Sequence, residues 1–163
     1  MVVNNTLSAV ENTMVGMGQI VAVAKPTCLT AILGSCVGVA LYHPRRHVGA
    51  LGHVVLPNAN GRVAPPGKFA DCAIPSMLQQ MEALGANRAG TVVKIAGGAC
   101  MFGTSGPLQI GDANVEAVLK ALGDAGLRVA AQDTGGSKGR RIAFRPDTGE
   151  LLVEIIGQPP RVL

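Results

Sequence analysis

One of the four cysteines stands in a sequence that could make it a nucleophile. Gly34 and Ser35 come directly before Cys36, and two such small residues allow a tight turn with the thiol at its apex. Backbone N–H groups lie close to the apex of such a turn, and an oxyanion hole is made of such groups. With a base to take its proton, Cys36 could attack a carbonyl carbon. The spacing alone leaves a second interpretation open, in which the turn simply begins a strand and the cysteine is buried.

The base for such a thiol would be a histidine, and the chain has three. His43 and His47 flank a charged turn, where an exposed histidine needs no functional explanation. His53 instead interrupts the apolar segment 50–56, and pattern violations of this kind collect at functional sites. We therefore expect His53 to be the base. The alternative is a histidine whose ring is satisfied by hydrogen bonds within the core.

The segments on either side of the charged turn should bring the thiol and the imidazole together. Residues 37–42 and 48–56 are both apolar, so we expect them to pair as a hairpin about the turn. Counting inward from the turn, Val37 lies opposite His53, to within about a residue or two. Cys36 and His53 then meet at the open end of this hairpin.

Other kinds of site have weaker support in the sequence. A metal site made of the three histidines and a cysteine matches no recognised ligand spacing, and the cysteines include no C-x-x-C pair. The glycine-rich segments 96–99 and 134–139 lack the P-loop and dinucleotide-binding spacings, so we interpret them as tight turns. We expect no metal site.

The composition is that of one globular domain that does not bind nucleic acid. The chain has 163 residues, of which 48% are hydrophobic, and this apolar content excludes intrinsic disorder. The net charge is only +4, and there is no Trp, one Tyr and three Phe. Neither a basic surface nor stacking on bases can therefore carry the function.

A membrane-spanning segment and a signal peptide are not expected. The longest segment without Asp, Glu, Lys or Arg, residues 26–44, contains several polar residues and has a proline at each end. A spanning helix needs about twenty predominantly apolar residues without such breaks. The N-terminus lacks both the basic and the apolar region of a signal peptide. We expect a cytoplasmic protein that does not insert into membranes.

The spacing of apolar residues predicts a mixed α+β domain with many strands and two helices. Apolar residues from Ile74 to Leu84 and from Val115 to Leu122 recur at helical steps, with Pro75 close to the start of the first helix. The predicted strands cover residues 20–24, 28–33, 37–42, 48–56, 91–96, 127–132, 140–145 and 150–156. Hairpin connections exclude a doubly wound parallel sheet. Residues 1–14 are polar and are predicted to be a loose lead-in to a single domain, 15–163.

Several motifs, in a fixed order over about residues 15–156, resemble those of the chemoreceptor glutamine deamidase family, CheD. Two of them contain the candidate nucleophile and base. The motifs are 33–39 (LGSCVGV), 52–57 (GHVVLP), 66–71 (PGKFAD), 94–99 (KIAGGA), 101–102 (MF), 110–111 (IG), 114–117 (NVEA) and 133–136 (DTGG). So many motifs in one order are far more specific than a single cysteine turn.

The resemblance implies a fold, a reaction and partners. The fold would be a single-domain, three-layer α/β/β sandwich of a cysteine hydrolase. The reaction would be hydrolysis of particular glutamine side chains on methyl-accepting chemotaxis receptors, giving glutamate and ammonia without a cofactor. Some members also bind a CheC-type CheY-phosphate phosphatase. A non-catalytic adaptor for receptors or for such a phosphatase is the alternative function.

The resemblance also assigns roles to individual residues. The family's cysteine corresponds to Cys36 and its histidine to His53. Its threonine corresponds to Thr30, whose hydroxyl would accept a hydrogen bond from the second ring nitrogen and fix the tautomer. Backbone N–H groups near Gly34 and Ser35 would hold the oxyanion.

Receptor glutamines lie on a long helical coiled coil, so we expect Cys36 to face an open groove. Met101 and Phe102 are candidate contacts for a receptor or phosphatase at the edge of this groove. The alternative is that Phe102 is simply a core residue.

Overall fold

The computed structural model describes residues 10–101 and 109–163, which form two helices and ten strands. The helices are α1 (Ala70–Ala83) and α2 (Ile110–Asp124). The strands are β1 (Glu11–Met14), β2 (Ile20–Val23), β3 (Thr27–Leu33), β4 (Val37–His43), β5 (Val48–Val54), β6 (Val92–Gly97), β7 (Val129–Thr134), β8 (Arg140–Phe144), β9 (Leu151–Glu154) and β10 (Arg161–Val162). Among these described residues, no helix has the length and apolar character needed to cross a membrane.

The strands form two five-stranded sheets that lie face to face. The inner sheet has the order β2-β5-β4-β6-β7, and the outer sheet has the order β1-β3-β8-β9-β10. One apolar core lies between the two helices and the inner sheet, and a second lies between the two sheets. The layers are therefore helices, inner sheet and outer sheet. This arrangement confirms the mixed α+β class and the three-layer α/β/β sandwich.

The central strands of the inner sheet are apolar on both faces because both faces are covered. In β4, Val37, Val39 and Leu41 belong to the core under the helices, whereas Ala40 belongs to the core between the sheets. All seven residues of β5 are buried. A polar side chain in β5 therefore has to be satisfied by protein groups or to serve a function.

The hairpin predicted from β4 and β5 is confirmed, with its register displaced by one residue. His53 pairs with Gly38, and Val54 pairs with Val37. The displacement arises because β4 extends to His43, one residue beyond the predicted end. Cys36, directly before β4, still lies at the open end of the hairpin beside His53.

Two short strands differ from the prediction. The loose lead-in expected for residues 1–14 is wrong for its last four residues, because β1 pairs in parallel with β3. The last strand, β10, pairs antiparallel with β9. Both strands are largely exposed edge strands. Their ladder hydrogen bonds, rather than apolar side chains, order them, so they have no apolar pattern for sequence analysis to detect.

The first helix begins earlier than its apolar periodicity indicates. It starts at Ala70, so Pro75 lies beyond the first turn rather than close to the start. The start is set by the chain before it, where Leu56 and Phe69 form an isolated parallel bridge and Leu56 O accepts from Ala70 N at 3.0 Å. The helix thereby continues directly from the segment that follows β5.

Candidate active site

The thiol of Cys36 and the ring of His53 lie on the same face of the inner sheet. Cys36 belongs to the core between the sheets, as do Ala40 on β4 and Leu51 on β5. Side chains alternate along a strand, so His53 shares this face with Leu51. Because His53 pairs with Gly38, Cys36 is its diagonal neighbour. Diagonal neighbours in an antiparallel pair lie about 7–8 Å apart, within reach of long side chains.

The protein fixes the tautomer of His53 through one backbone carbonyl. The Nδ1 atom lies 2.9 Å from the carbonyl oxygen of Val15. A carbonyl can only accept, so Nδ1 carries the proton and Nε2 presents its lone pair. The His53 residue is buried, and its Nε2 has no hydrogen-bond partner among the described residues. A buried, unpaired basic nitrogen is what a general base at rest requires.

The segment from Val15 to Gln19 makes three hydrogen bonds with His53. Besides the ring contact with Val15, Gly18 N donates to the His53 carbonyl at 2.9 Å, and His53 N donates to the Gln19 carbonyl at 3.0 Å. The sequence gives no sign that Val15 is the acceptor for the His53 ring. It acts through its backbone carbonyl, which any residue would supply, so no residue type marks the position.

The Thr30 hydroxyl was predicted to accept a hydrogen bond from the His53 ring, but in the structure a different group accepts it. The acceptor at His53 Nδ1 is Val15, and the Thr30 hydroxyl makes no hydrogen bond to any described residue. Leu29 and Ala31 point into the core between the sheets, so the pleat turns Thr30 to the other face of β3. Thr30 instead contributes its carbonyl, which accepts from Val15 N at 2.7 Å. It therefore orients the histidine through the Val15 peptide.

The turn that carries Cys36 is held by its carbonyl groups. Ala99 N donates to Gly34 O at 3.0 Å, and Gly98 N donates to Cys36 O at 2.8 Å. Within residues 10–101 and 109–163, no group accepts from the N–H of Ser35 or of Cys36. The oxyanion hole expected from the Gly-Ser-Cys sequence would use these two donors and stays a prediction.

Burial determines the protonation state of Cys36. The residue is 8% exposed, so it does not stand on an open groove as expected from the sequence. Its position at the junction of the two sheets places it inside the second core. Desolvation disfavours the thiolate and raises the pKa of the Cys36 thiol. The resting site therefore contains a thiol, which needs a base to become a nucleophile.

The candidate contact residues can be located only in part. Met101 is half exposed, and a Cβ atom on Gly34 would come within 2.8 Å of the Met101 sulfur, so this side chain lies beside the turn that carries Cys36. Phe102 lies outside the described residues. Its role as a contact stays a prediction.

The other histidines lie at the far end of the hairpin. His43 is the last residue of β4, seven residues from Cys36, which corresponds to about 23 Å of strand. It is buried, in contrast to the exposed position expected from its charged turn, whereas His47 is exposed. The described part of the chain contains no group of three His, Cys, Asp or Glu side chains that could hold a metal ion. His53 is therefore the histidine that the fold brings to Cys36.

Comparison with known proteins agrees with the sequence motifs. The profile of the family described as "CheD chemotactic sensory transduction" matches residues 55–155. A protein of Thermotoga maritima named chemoreceptor glutamine deamidase CheD is 40% identical over 145 residues, which are 88% of this chain and 92% of the relative. A protein of Archaeoglobus fulgidus named probable chemoreceptor glutamine deamidase CheD is 43% identical over 144 residues, 86% of this chain and 91% of the relative. The profile covers more than half of the chain and both relatives cover most of it, so the chain belongs to the CheD family.

Proposed function

We propose that the protein is a protein-glutamine glutaminase that deamidates glutamine side chains of methyl-accepting chemotaxis receptors. In this proposal Cys36 is the nucleophile and His53 is the general base. The names of the curated relatives support the reaction and the substrate class. The observation that carries the assignment of residues is the Nε2 of His53, which is buried without a partner in the described part of the chain and whose tautomer is set by the Val15 carbonyl. A non-catalytic adaptor would have no need of such a nitrogen beside a thiol.

The first half of the reaction forms a thioester. As the Cys36 sulfur attacks the amide carbon of the glutamine, its proton moves to Nε2 of His53. The N–H groups of Ser35 and Cys36 donate to the oxygen of the tetrahedral intermediate. The imidazolium then gives its proton to the amide nitrogen, the carbon–nitrogen bond breaks, and ammonia leaves.

The second half releases glutamate. His53, neutral again, takes a proton from water, whose oxygen attacks the thioester carbon. The carbon–sulfur bond breaks, and the Cys36 sulfur regains a proton from the imidazolium. The net reaction consumes one glutamine side chain and one water and gives one glutamate side chain and one ammonia. The Val15 carbonyl stays bound to Nδ1 throughout and stabilises the imidazolium. As a neutral acceptor it does so less strongly than a carboxylate would, which favours slow turnover.

We also propose that the protein acts in the cytoplasm and binds a CheC-type phosphatase as a regulator. Membership of the CheD family supports both statements. Met101 and Phe102 are the proposed contacts for either macromolecule. Co-purification of this chain with a CheC-type phosphatase, and its loss in Phe102→Glu, would test the contact, with the melting temperature as a control for folding.

The reaction is tested with a cytoplasmic receptor fragment and mass spectrometry. Wild-type protein should convert particular glutamines to glutamate, and Cys36→Ala should lower the rate at least about 1,000-fold while keeping the fold. A variant that lacks the other three cysteines is the matched control and should keep most of the activity. A folded wild-type protein that binds the fragment but leaves every glutamine intact would instead support the adaptor function.

A further inference from the structure

Asn114, on helix α2, joins the two halves of the candidate active site. Its side chain is fully buried. The Nδ2 atom donates to the carbonyl of Ser35 and to the carbonyl of Val55, both at 2.9 Å. Ser35 is the residue before Cys36, and Val55 is two residues after His53. One amide group therefore spans the turn that carries the thiol and the strand that carries the imidazole.

The start of α2 can pack close to the Cys36 turn because the residues at the contact, Gly98 and Gly111, have no side chains. A Cβ atom on Gly111 would overlap the carbonyl of Ala99, and a Cβ atom on Gly98 would overlap the side chain of Val115. The helix therefore packs directly on the backbone of the segment that follows β6. This close approach places Asn114, one turn into the helix, over the end of the β4–β5 hairpin.

Burying the Asn114 side chain costs free energy that an apolar side chain at this position would not cost. The Oδ1 atom of Asn114 is buried without a hydrogen-bond partner among the described residues. An unpaired buried carbonyl is destabilising, and a leucine of similar volume would avoid the penalty. The neighbouring inward-facing residues of α2, Val118 and Leu122, are apolar as a core helix requires. A polar residue at this one position is consistent with a role in the site.

We propose that Asn114 is a positioning residue that sets the separation between the Cys36 thiol and His53 Nε2. This inference rests on the proposed function, because the separation of the two groups matters only if a proton passes between them. By holding the carbonyls of Ser35 and Val55 on one nitrogen, Asn114 prevents the turn and the strand end from moving apart. A misplacement of about 1 Å at such a pair costs about 100-fold in rate.

Asn114→Leu tests this role, with Val118→Ala as the matched control. Val118 is equally buried on the same helix and belongs to the core under the helices. Asn114→Leu should lower kcat for receptor deamidation about 100-fold with KM changed less than about twofold. Val118→Ala should lower the melting temperature but leave kcat within about twofold. Equal losses of kcat in the two variants would overturn the proposal, since Asn114 would then act only through stability.

Alkylation of Cys36 by a small neutral reagent near neutral pH gives a second measurement that needs no receptor. Asn114→Leu should slow alkylation as much as His53→Ala does, and the double variant should be no slower than His53→Ala alone. Additive effects in the double variant would overturn the proposal. If wild-type protein alkylates readily but deamidates no receptor, the proposed function fails, and this double-variant comparison still decides the role of Asn114.

Discussion

Among single residues, His53 is distinguished by the different surroundings of its two ring nitrogens. Its Nδ1 has a backbone acceptor, whereas its Nε2 is buried with no described partner. Most buried polar atoms in proteins have a hydrogen-bond partner, so this nitrogen is consistent with a role in the site. His43 also has a buried ring nitrogen without a described partner, but it lies at the far end of the hairpin from Cys36. The His53 ring lies on the same face of the inner sheet as the Cys36 thiol. Burial raises the pKa of that thiol, so a reaction that uses the thiolate would need a base.

We expect His53→Ala to slow both deamidation and alkylation of Cys36. The deamidation rate should fall about 100-fold or more, because the proton of the thiol then has no acceptor. Alkylation with a small neutral reagent at pH 7.5 should slow as well, because less thiolate forms. His47→Ala is the matched control, since His47 is exposed in the turn at the other end of the hairpin. Equal alkylation rates in wild type and His53→Ala would refute the pairing.

Stability should depend on pH through Cys36. Burial raises the pKa of its thiol, so the folded protein holds this proton more tightly than the unfolded chain does. The resulting contribution to stability is present below the ordinary thiol pKa of about 8.5 and is lost as pH rises through the raised pKa. The free energy of unfolding in urea should therefore fall as pH rises above about 8.5. Cys36→Ala should show a shallower fall, and identical slopes would contradict the assignment.

Sequence analysis could identify Cys36 and His53 because each breaks a local pattern. The thiol follows two small residues, and the imidazole interrupts an apolar strand. Val15 and Asn114 could not be found in this way. A backbone carbonyl carries no residue signature, and the burial of Asn114 depends on glycines that meet only in the folded chain.

Among the elements, the end of β6 and the turn that carries Cys36 are built as one unit. Gly97, the last residue of β6, has φ 109°, and a Cβ atom there would overlap the carbonyl of Cys36. The next residue, Gly98, donates its N–H to that same carbonyl. The motif 96–99 is thus a tight turn, as its spacing indicated, and it fixes the backbone of Cys36.

Gly97→Ala should therefore damage both stability and activity. A non-glycine residue with positive φ costs about 1–2 kcal/mol, and the contact with Cys36 adds to this loss. We expect a loss of more than about 2 kcal/mol in urea unfolding and a clear fall in deamidation rate. Gly126→Ala is the control, because Gly126 also has positive φ (74°) but has open space around it. If both variants lose equal stability and keep activity, the contact has no role in the site.

Periodicity predicted the buried elements and missed the exposed ones. The strands β3 to β6 and both helices have continuous or periodic apolar residues because they line the two cores. The exposed strands β1 and β10 are short and have no apolar pattern. Such strands depend on a partner that is distant in sequence, so no local pattern reveals them.

In the molecule as a whole, a buried ion pair joins the two sheets near the end of β6. Arg140, on β8 of the outer sheet, lies 3.1 Å from a carboxylate oxygen of Asp133, on β7 of the inner sheet. It also donates to the carbonyls of Gly97 and Gly135. The same carboxylate binds Arg161 at 2.8 Å, but the Arg161 side chain is mostly exposed.

Arg140→Met should therefore destabilise the protein far more than Arg161→Met. Removing Arg140 leaves a buried carboxylate with only an exposed partner. The Gly135 carbonyl loses the donor that Arg140 supplies, and the Gly97 carbonyl keeps the N–H of Gly135. We expect a loss of about 3 kcal/mol or more for Arg140→Met and less than about 1 kcal/mol for Arg161→Met. Urea unfolding of both variants measures the difference. Similar losses would mean that the ion pair does not hold the sheets together.

The pairing of β3 with β8 has a consequence for synthesis of the chain. The hairpin of β4 and β5 can form as soon as it leaves the ribosome, but the pairing of β3 with β8 requires a strand that is made more than a hundred residues later. Pairings so distant in sequence form slowly. Until β8 arrives, the core that covers Cys36 is incomplete, and the nascent chain exposes a thiol that the finished protein buries. Oxidation should therefore threaten this protein most while it is being translated.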